Sequence, residues 1–353
     1  MTAVETYELA PGYAISRVIR GGWQLAGGHG PIDRDRALED LIAAFDAGVF
    51  TFDCADIYTG VEEIYGTLRS RILAGRGVEA AKSLRVHTKL VPDLSILRTI
   101  ERRDIEAIID RSLRRLKMER LDLVQFHWWD YSESRWLDAL GWLDDLRAKG
   151  KTRLVGATNF GAPHTRAILE AGVPLASMQV QYSVLDRRPE NGLSALCQAH
   201  GVGLICYGSI AGGFLSDRWL GQSAPSGPLA NRSLVKYKLI IEDFGGWSLF
   251  QELLRTLRRV ADRHNADIAS VASRFTLDLN GVAAVIIGAT SCAHLAANVG
   301  IGALKLTDAD RAEIEGVGAR RHGPKGDVYE LERDRNGRHG SIMKYNLNTE
   351  SVI

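Results

Sequence analysis

Four side chains in the first 130 residues have types that could act as one chemical group: Asp53, Tyr58, Lys89 and His127. A lone tyrosine is a poor acid or base near neutrality, because its phenol titrates at about 10. A neighbouring ammonium favours the phenolate, and a carboxylate paired with that ammonium fixes its position. An imidazole beside them hydrogen-bonds a carbonyl or passes a proton. The set suits protonation of the alkoxide that forms when hydride reaches a carbonyl carbon. It is not a metal centre, since Asp53, Asp56 and His127 do not reproduce H-E-x-x-H or another dense ligand spacing. Nor is a nucleophile evident: Cys54 stands beside an aspartate rather than an imidazole.

The elements that must carry these groups are short apolar runs. Asp53 ends VFTFD (49–53), with Tyr58 in the loop that follows; Lys89 ends LRVHTK (84–89), and His127 ends LDLVQFH (121–127). Five more runs of the same kind are SRVIRGGW (16–23), TRLVGATN (152–159), ASMQVQ (176–181), VGLICY (202–207) and AAVIIGAT (283–290). Amphipathic stretches separate them. Residues 33–48 begin with Asp33 as an N-cap and stop at Gly48, and 102–118 place Ile105, Ile108, Ile109, Leu113 and Leu116 on one face. Residues 134–150 and 249–264 show the same period.

Eight near-continuous apolar strands alternating with helices predict an α/β protein whose parallel sheet is covered on both faces, closed as a (β/α)8 TIM barrel. The open doubly wound alternative should show G-x-G-x-x-G after its first strand, and no such spacing exists. Gly150-Lys151-Thr152 is not a phosphate loop either, because Asp145 stands where the first glycine belongs. In such a barrel the chemistry sits at the C-terminal ends of the strands. Those ends also bear Thr158, Asn159, Gln181 and Tyr207.

Three segments fall outside the beat. Tyr7–Leu9 and Tyr13–Ile15 flank Pro11-Gly12 and predict a hairpin plugging the N-terminal end of the barrel. Residues 208–248 form a long connection after the seventh strand. The last segment, 319–353, is polar, and Asn336-Gly337 between VYELER and SIMKY signals a second hairpin. The expected organisation is thus a single barrel domain over 1–318, with 319–353 as an extension rather than a separate domain.

Taken in order, these motifs resemble the aldo-keto reductases, NAD(P)H-dependent carbonyl reductases built on a (β/α)8 barrel, from about residue 13 to 315. The resemblance is carried by D-C-A-D-I-Y (53–58) with Glu62, Glu63 and Gly66, by the strands ending at Lys89 and His127, by G-A-T-N-F (156–160) and by Q-V-Q-Y (179–182). It implies that Tyr58 is the general acid in reduction, that Lys89 lowers its pKa, that Asp53 pairs with Lys89, and that His127 orients the carbonyl. It further implies that Thr158, Asn159 and Gln181 bind the nicotinamide carboxamide, with Tyr207 stacked on its ring and Gly208 and Ser209 continuing the cofactor site.

V-I-I-G-A-T-S-C-A-H-L-A-A-N (285–298) resembles the adenine-binding segment, with Asn298 at the adenine and Thr290 near the 2′-phosphate. Many relatives carry Lys where Gly288 stands and Arg where His294 stands. Their absence weakens the family's NADP(H) preference, which remains the expectation over NAD(H). Trp23, Trp128 and Trp129 are expected to wall the substrate mouth, Trp219 and Trp247 to close over it, and Trp136 and Trp142 to pack. The implied partner is a small carbonyl or alcohol, handled by a monomer or homo-oligomer. The alternative is a cofactor-binding regulatory or scaffold subunit of the same fold.

Composition excludes other classes. Among 353 residues, 44 Lys and Arg balance 43 Asp and Glu, so a basic nucleic-acid footprint is not expected. The start shows no secretory pattern and no apolar run approaches a membrane span, which makes a cytoplasmic, membrane-free protein the expectation. Cys54, Cys197, Cys206 and Cys292 form no C-x-x-C pair and predict no disulfide framework.

Overall fold

The computed structural model describes residues 4–348. Strands β1 (Thr6–Ala10) and β2 (Tyr13–Ser16) pair antiparallel around Gly12, whose φ of 67° suits the reversal. Leu9, Tyr13 and Ile15 point inward onto Ile19, Leu123, Ala176, Ile205 and Ala283, closing the bottom of the barrel with apolar side chains. This is the plug the sequence predicts.

The barrel follows, one α-helix after each of its first six strands and three α-helices between the last two. Strand β3 (Val18–Gly21) leads to α1 (Arg34–Asp46), β4 (Thr51–Asp53), α2 (Val61–Ser83), β5 (Arg85–Leu90), α3 (Arg102–Leu116), β6 (Leu121–Phe126) and α4 (Trp136–Ala148). The second half runs β7 (Thr152–Thr158), α5 (Ala162–Glu170), β8 (Leu175–Gln181), α6 (Leu193–Ala199), β9 (Gly203–Tyr207), α7 (Arg232–Phe244), α8 (Gly246–Arg263), α9 (Ile268–Leu277) and β10 (Val282–Gly288). Each strand from β3 to β10 pairs in parallel with the next, and β10 pairs back with β3, so the sheet closes. Short α10 (Leu295–Gly300) and α11 (Asp308–Gly318) complete the ring.

Local chemistry explains the boundaries. The Asp33 carboxylate caps α1 by accepting from the N–H groups of Asp35 and Arg36. On α3, Ile105, Ile108, Ile109 and Leu116 are buried, while Leu113 is only partly covered.

Two regions depart from expectation. The long connection is not structureless, because it contains α7, capped by the Asn231 side chain and buried along Tyr237, Ile240, Ile241 and Phe244. Gly245, at φ 147°, separates α7 from α8, which therefore begins earlier than residue 249. The expected tail hairpin does not form either. VYELER ends in a helical turn, α12 (Glu330–Arg333), and Gly340–Ile342 makes a 3-10 turn. Asn336-Gly337 does form a turn, with Gly337 N–H donating to Asp334 O. Glu332 and Arg333 are instead drawn into the barrel's upper rim, so the chain folds across the mouth rather than back on itself. No helix among the described residues is long and apolar enough to cross a membrane.

Candidate active site

A cavity of about 750 Å³ opens at the C-terminal ends of the strands. It runs from Trp23, Tyr58, His127 and Trp129 at one end to Thr290, Ser291, His294 and Asn298 at the other.

Strand register assembles the first end. Asp53 pairs with His87 and Lys89 with Gln125, so Asp53, His87, Lys89 and Gln125 all project into the barrel, Lys89 one layer above His87. The Lys89 ammonium donates to Asp53 Oδ1 at 2.7 Å and to the Cys54 carbonyl at 2.8 Å. Asp53 Oδ2 accepts from Gln179 at 2.7 Å and from Gln125 at 3.3 Å. The ammonium also lies 5.2 Å from the centre of the Tyr58 ring.

Burial opposes the Lys89 charge, but Asp53 and Tyr58 outweigh it and hold the pKa above its ordinary value. For Tyr58 the balance is the reverse of the expected one. Burial pushes the phenol up, and Lys89 offsets only part of the rise, because Asp53 stands against the same ammonium and adds its own negative charge. The phenol is therefore held protonated, the state a proton donor requires.

His127 Nδ1 lies 3.2 Å from the Thr158 carbonyl, which can only accept, so the proton is assigned to Nδ1. Nε2 is buried without a partner among the described residues. Burial, with Arg333 adding to it, pushes the ring down to about 3, so it is neutral and Nε2 offers a lone pair.

The aromatic wall is partly as expected. Trp129 meets His127 edge-on at 4.3 Å, and Trp23 lies 5.1 Å from Tyr58. Trp128 is not part of the wall. It is fully buried, donates to the Asp130 and Glu133 carbonyls, and points away from the cavity that Trp129 lines. Neighbours leaving a strand end project to different sides. Trp219 and Trp247 pack with Phe214 and Phe250 and do not line the cavity. Trp136 packs on Phe160 and Tyr131, and Trp142 lies under Arg135.

Midway, Thr158 and Asn159 line the cavity, and the Tyr207 hydroxyl donates to Asn159 Oδ1 at 2.8 Å. Gln181 does not reach it, since its amide donates to Asp186 at 2.6 Å. Gln179, two residues earlier on the same face of β8, takes the cavity position. Gly208 lines the cavity at φ 82°, where a Cβ would meet the Tyr237 hydroxyl at 2.5 Å. Ser209 is buried behind the wall against Ser273.

At the far end, Gly288, Thr290, His294 and Asn298 all line the cavity. A Cβ on Gly288 would lie 2.1 Å from the Gln24 amide nitrogen, so Gln24 occupies the space into which a lysine would extend. No lysine or arginine stands anywhere in 288–298. Asp40 accepts from the Cys292 N–H, which places a carboxylate next to this turn.

Several lining residues lie beyond the reach of strand-end reasoning. Gln24 follows β3, Lys236 lies on α7, and Tyr329 and Met343 come from the tail. Tyr329 meets His127 edge-on at 5.4 Å. Arg333 donates to the carbonyls of Asn159 at 2.8 Å and Trp128 at 3.2 Å, and to the Tyr131 hydroxyl at 2.9 Å, tying the tail to the rim. The only available signal was the alternation in Q-V-Q, which puts both glutamines on one face without saying which is level with the cavity.

The closed eight-stranded barrel thus holds a buried carboxylate–lysine pair beneath a tyrosine. The Aldo/keto reductase family model matches residues 17–319, and the chain belongs to that family. Membership carries its general activity, NAD(P)-dependent oxidation and reduction. The chain is 25% identical over 309 residues to the NADH-specific methylglyoxal reductase of Escherichia coli (strain K12), covering 84% of this chain and 92% of that one. It is 27% identical over 305 residues to the chloroplastic pyridoxal reductase of Arabidopsis thaliana, covering 83% and 80%. The solved structure of the thermostable aldo-keto reductase Tm1743 with the inhibitor epalrestat superimposes with a TM-score of 0.68 at 23% identity, over 90% of this chain and 100% of that one, a likeness of fold.

Proposed function

We propose that this protein interconverts an aldehyde or ketone and the corresponding alcohol, with Tyr58 as proton donor in reduction and acceptor in oxidation. The observation that carries this reading is the buried Asp53–Lys89 pair set 5.2 Å beneath the Tyr58 ring, beside an unpartnered His127 Nε2. A nicotinamide cofactor, when bound, supplies or receives the hydride. The chain fits such a group: one cavity of about 750 Å³ is lined both by Tyr58 and His127 and by Thr290 and Asn298, with the polar side chains of Thr158, Asn159 and Gln179 also in its wall.

The residues divide the remaining work. Lys89, fixed by Asp53, stabilises the phenolate left when Tyr58 gives up its proton. With its proton on Nδ1, His127 offers the substrate side only a lone pair, so the Tyr58 hydroxyl rather than His127 is the donor that meets a carbonyl oxygen, contrary to the expected role of the histidine. Trp23, Trp129 and Tyr329 exclude water around that oxygen. Thr158, Asn159 and Gln179 border the carboxamide region, and Tyr207, anchored to Asn159, offers its ring for stacking. For the 2′-phosphate, Thr290 and Ser291 supply hydroxyls but the segment supplies no cation, so NADP(H) is favoured over NAD(H) by a narrow margin.

Oxidation of NADPH and NADH, followed by absorbance across a panel of aldehydes, ketones and sugars, tests the reading. Turnover with at least one carbonyl is expected. Tight cofactor binding with no turnover on any of them would move the assignment to a regulatory subunit.

A further inference from the structure

Helix α7 turns Ser233, Lys236 and Tyr237 toward the cavity. Their place along it can be triangulated. The Trp23 indole donates to Ser233 Oγ at 3.3 Å, and the same ring lies 5.1 Å from Tyr58. One turn further on, the Lys236 ammonium is 5.1 Å from the centre of the Tyr207 ring and 5.6 Å from that of Tyr329, the ring that meets His127. Lys236 therefore stands in the wall at the reaction end, away from the 288–298 segment.

Its hydrogen-bonding capacity is not used up. Among the described residues its ion contact is with Glu332 Oε1 at 3.6 Å, and both Glu332 oxygens already accept from Arg188, at 3.1 and 2.9 Å. The second carboxylate nearby, Asp186, is engaged by Arg188 and Gln181. Its three N–H donors thus have one long contact to an oxygen already shared, with the Tyr207, Tyr237 and Tyr329 rings 5.1 to 5.8 Å away, on a side chain only 16% exposed. Burial lowers the pKa of this lysine while Glu332 works the other way. A largely buried ammonium short of acceptors is costly, and an anionic oxygen entering from the cavity removes that cost.

We propose that Lys236 binds a carboxylate carried by the carbonyl substrate, which makes the preferred substrates oxo acids with an apolar or aromatic spacer. The carboxylate meets Lys236 while the carbonyl accepts from the Tyr58 hydroxyl, and Trp23, Trp129 and Tyr329 pack on the spacer. This deepens, and rests on, the carbonyl-reduction reading.

The test compares 4-carboxybenzaldehyde with 4-formylbenzamide, which match in shape and differ in charge. Wild type is expected to favour the acid by about tenfold or more in kcat/KM, Lys236→Met to bring the ratio near one, and Lys236→Arg to retain part of it. A wild-type ratio near one, or a ratio unmoved by Lys236→Met, overturns the proposal. A second readout does not need turnover: binding of benzoate and of benzamide to the protein loaded with oxidised cofactor, followed by tryptophan fluorescence. Benzoate is expected to bind more tightly than benzamide and to lose that advantage in Lys236→Met. If no carbonyl is reduced, the functional reading fails and this readout alone decides Lys236. Weaker cofactor binding in Lys236→Met, with the benzoate-to-benzamide ratio unchanged, would assign the lysine to the cofactor and overturn the proposal.

Discussion

The two ends of the cavity are built on different principles. At the reaction end, Asp53 and Lys89 come from the paired strands β4 and β5 and Gln179 from β8 across the barrel, and these buried side chains meet at Asp53 through bonds of 2.7 Å. At the 288–298 end the residues follow the last strand, are mostly partly exposed, and include no lysine or arginine. The first end is preorganised before any ligand arrives, whereas the second offers hydroxyls and N–H groups that a ligand must still order. Substitutions at the first should therefore act on chemistry and stability together, and those at the second should act weakly and on affinity alone.

The largest contrast is expected from Tyr58→Phe, with a loss of about 10²–10⁴-fold in kcat and cofactor affinity preserved, because only the proton donor is removed. Near-normal turnover would dissolve the distinction between the ends. Next comes Lys89→Met, which leaves Asp53 buried without its ion-pair partner. Breaking such a pair costs about 3–5 kcal/mol, so chemical denaturation should show a large loss of stability as well as of activity. A variant as stable as wild type would mean that Asp53 is not held as described.

Acid should expose the same end. His87 and His127 are both pushed down to about 3, primarily by burial, so the folded state refuses protons that the unfolded chain accepts below about 6.5. Their contribution to stability is complete above that value and is lost as the pH falls from about 6.5 toward 3. Denaturation midpoints should fall over this window, and His127→Asn should flatten the slope. An identical slope in the variant would contradict the burial argument.

A finer test separates the two glutamines. Gln179→Leu should raise KM for the cofactor severalfold and disturb Asp53, whereas Gln181→Leu should act mainly through Asp186 and Arg188 on stability. Equal KM effects would place both at the cavity. The smallest effect belongs to the far end: wild-type kcat/KM for NADPH should exceed that for NADH by less than about tenfold, and His294→Arg should widen the gap. A large wild-type preference would require a cation that this segment lacks.

Much of the reaction end was legible because its logic is local. Apolar runs ending at Asp53, Lys89 and His127 place those groups at strand tops in any closed parallel barrel, and the eight runs themselves announce the barrel. Aromatic side chains were less legible. Trp128 and Trp129 are adjacent and chemically identical, yet one packs and the other lines the cavity, because neighbours at a strand end project to different sides. The tail's turn at Asn336-Gly337 was correctly signalled, but its partners were not. A hairpin signal reports the turn, while the fate of its arms depends on what else competes for them, here Arg188 for Glu332 and the rim carbonyls for Arg333.

The sequence by itself determined the barrel, its apolar plug and the placing of Asp53, Lys89 and His127 at strand tops, because periodicity and strand ends are properties of neighbouring residues. Tertiary structure alone decided that Gln179 rather than Gln181 faces the cavity, that Gln24 fills the space beside Gly288, and that α7 and the tail bring Lys236 and Tyr329 to the reaction end. Those choices join residues up to hundreds of positions apart, and only packing and the competition for buried hydrogen bonds and charges can settle them.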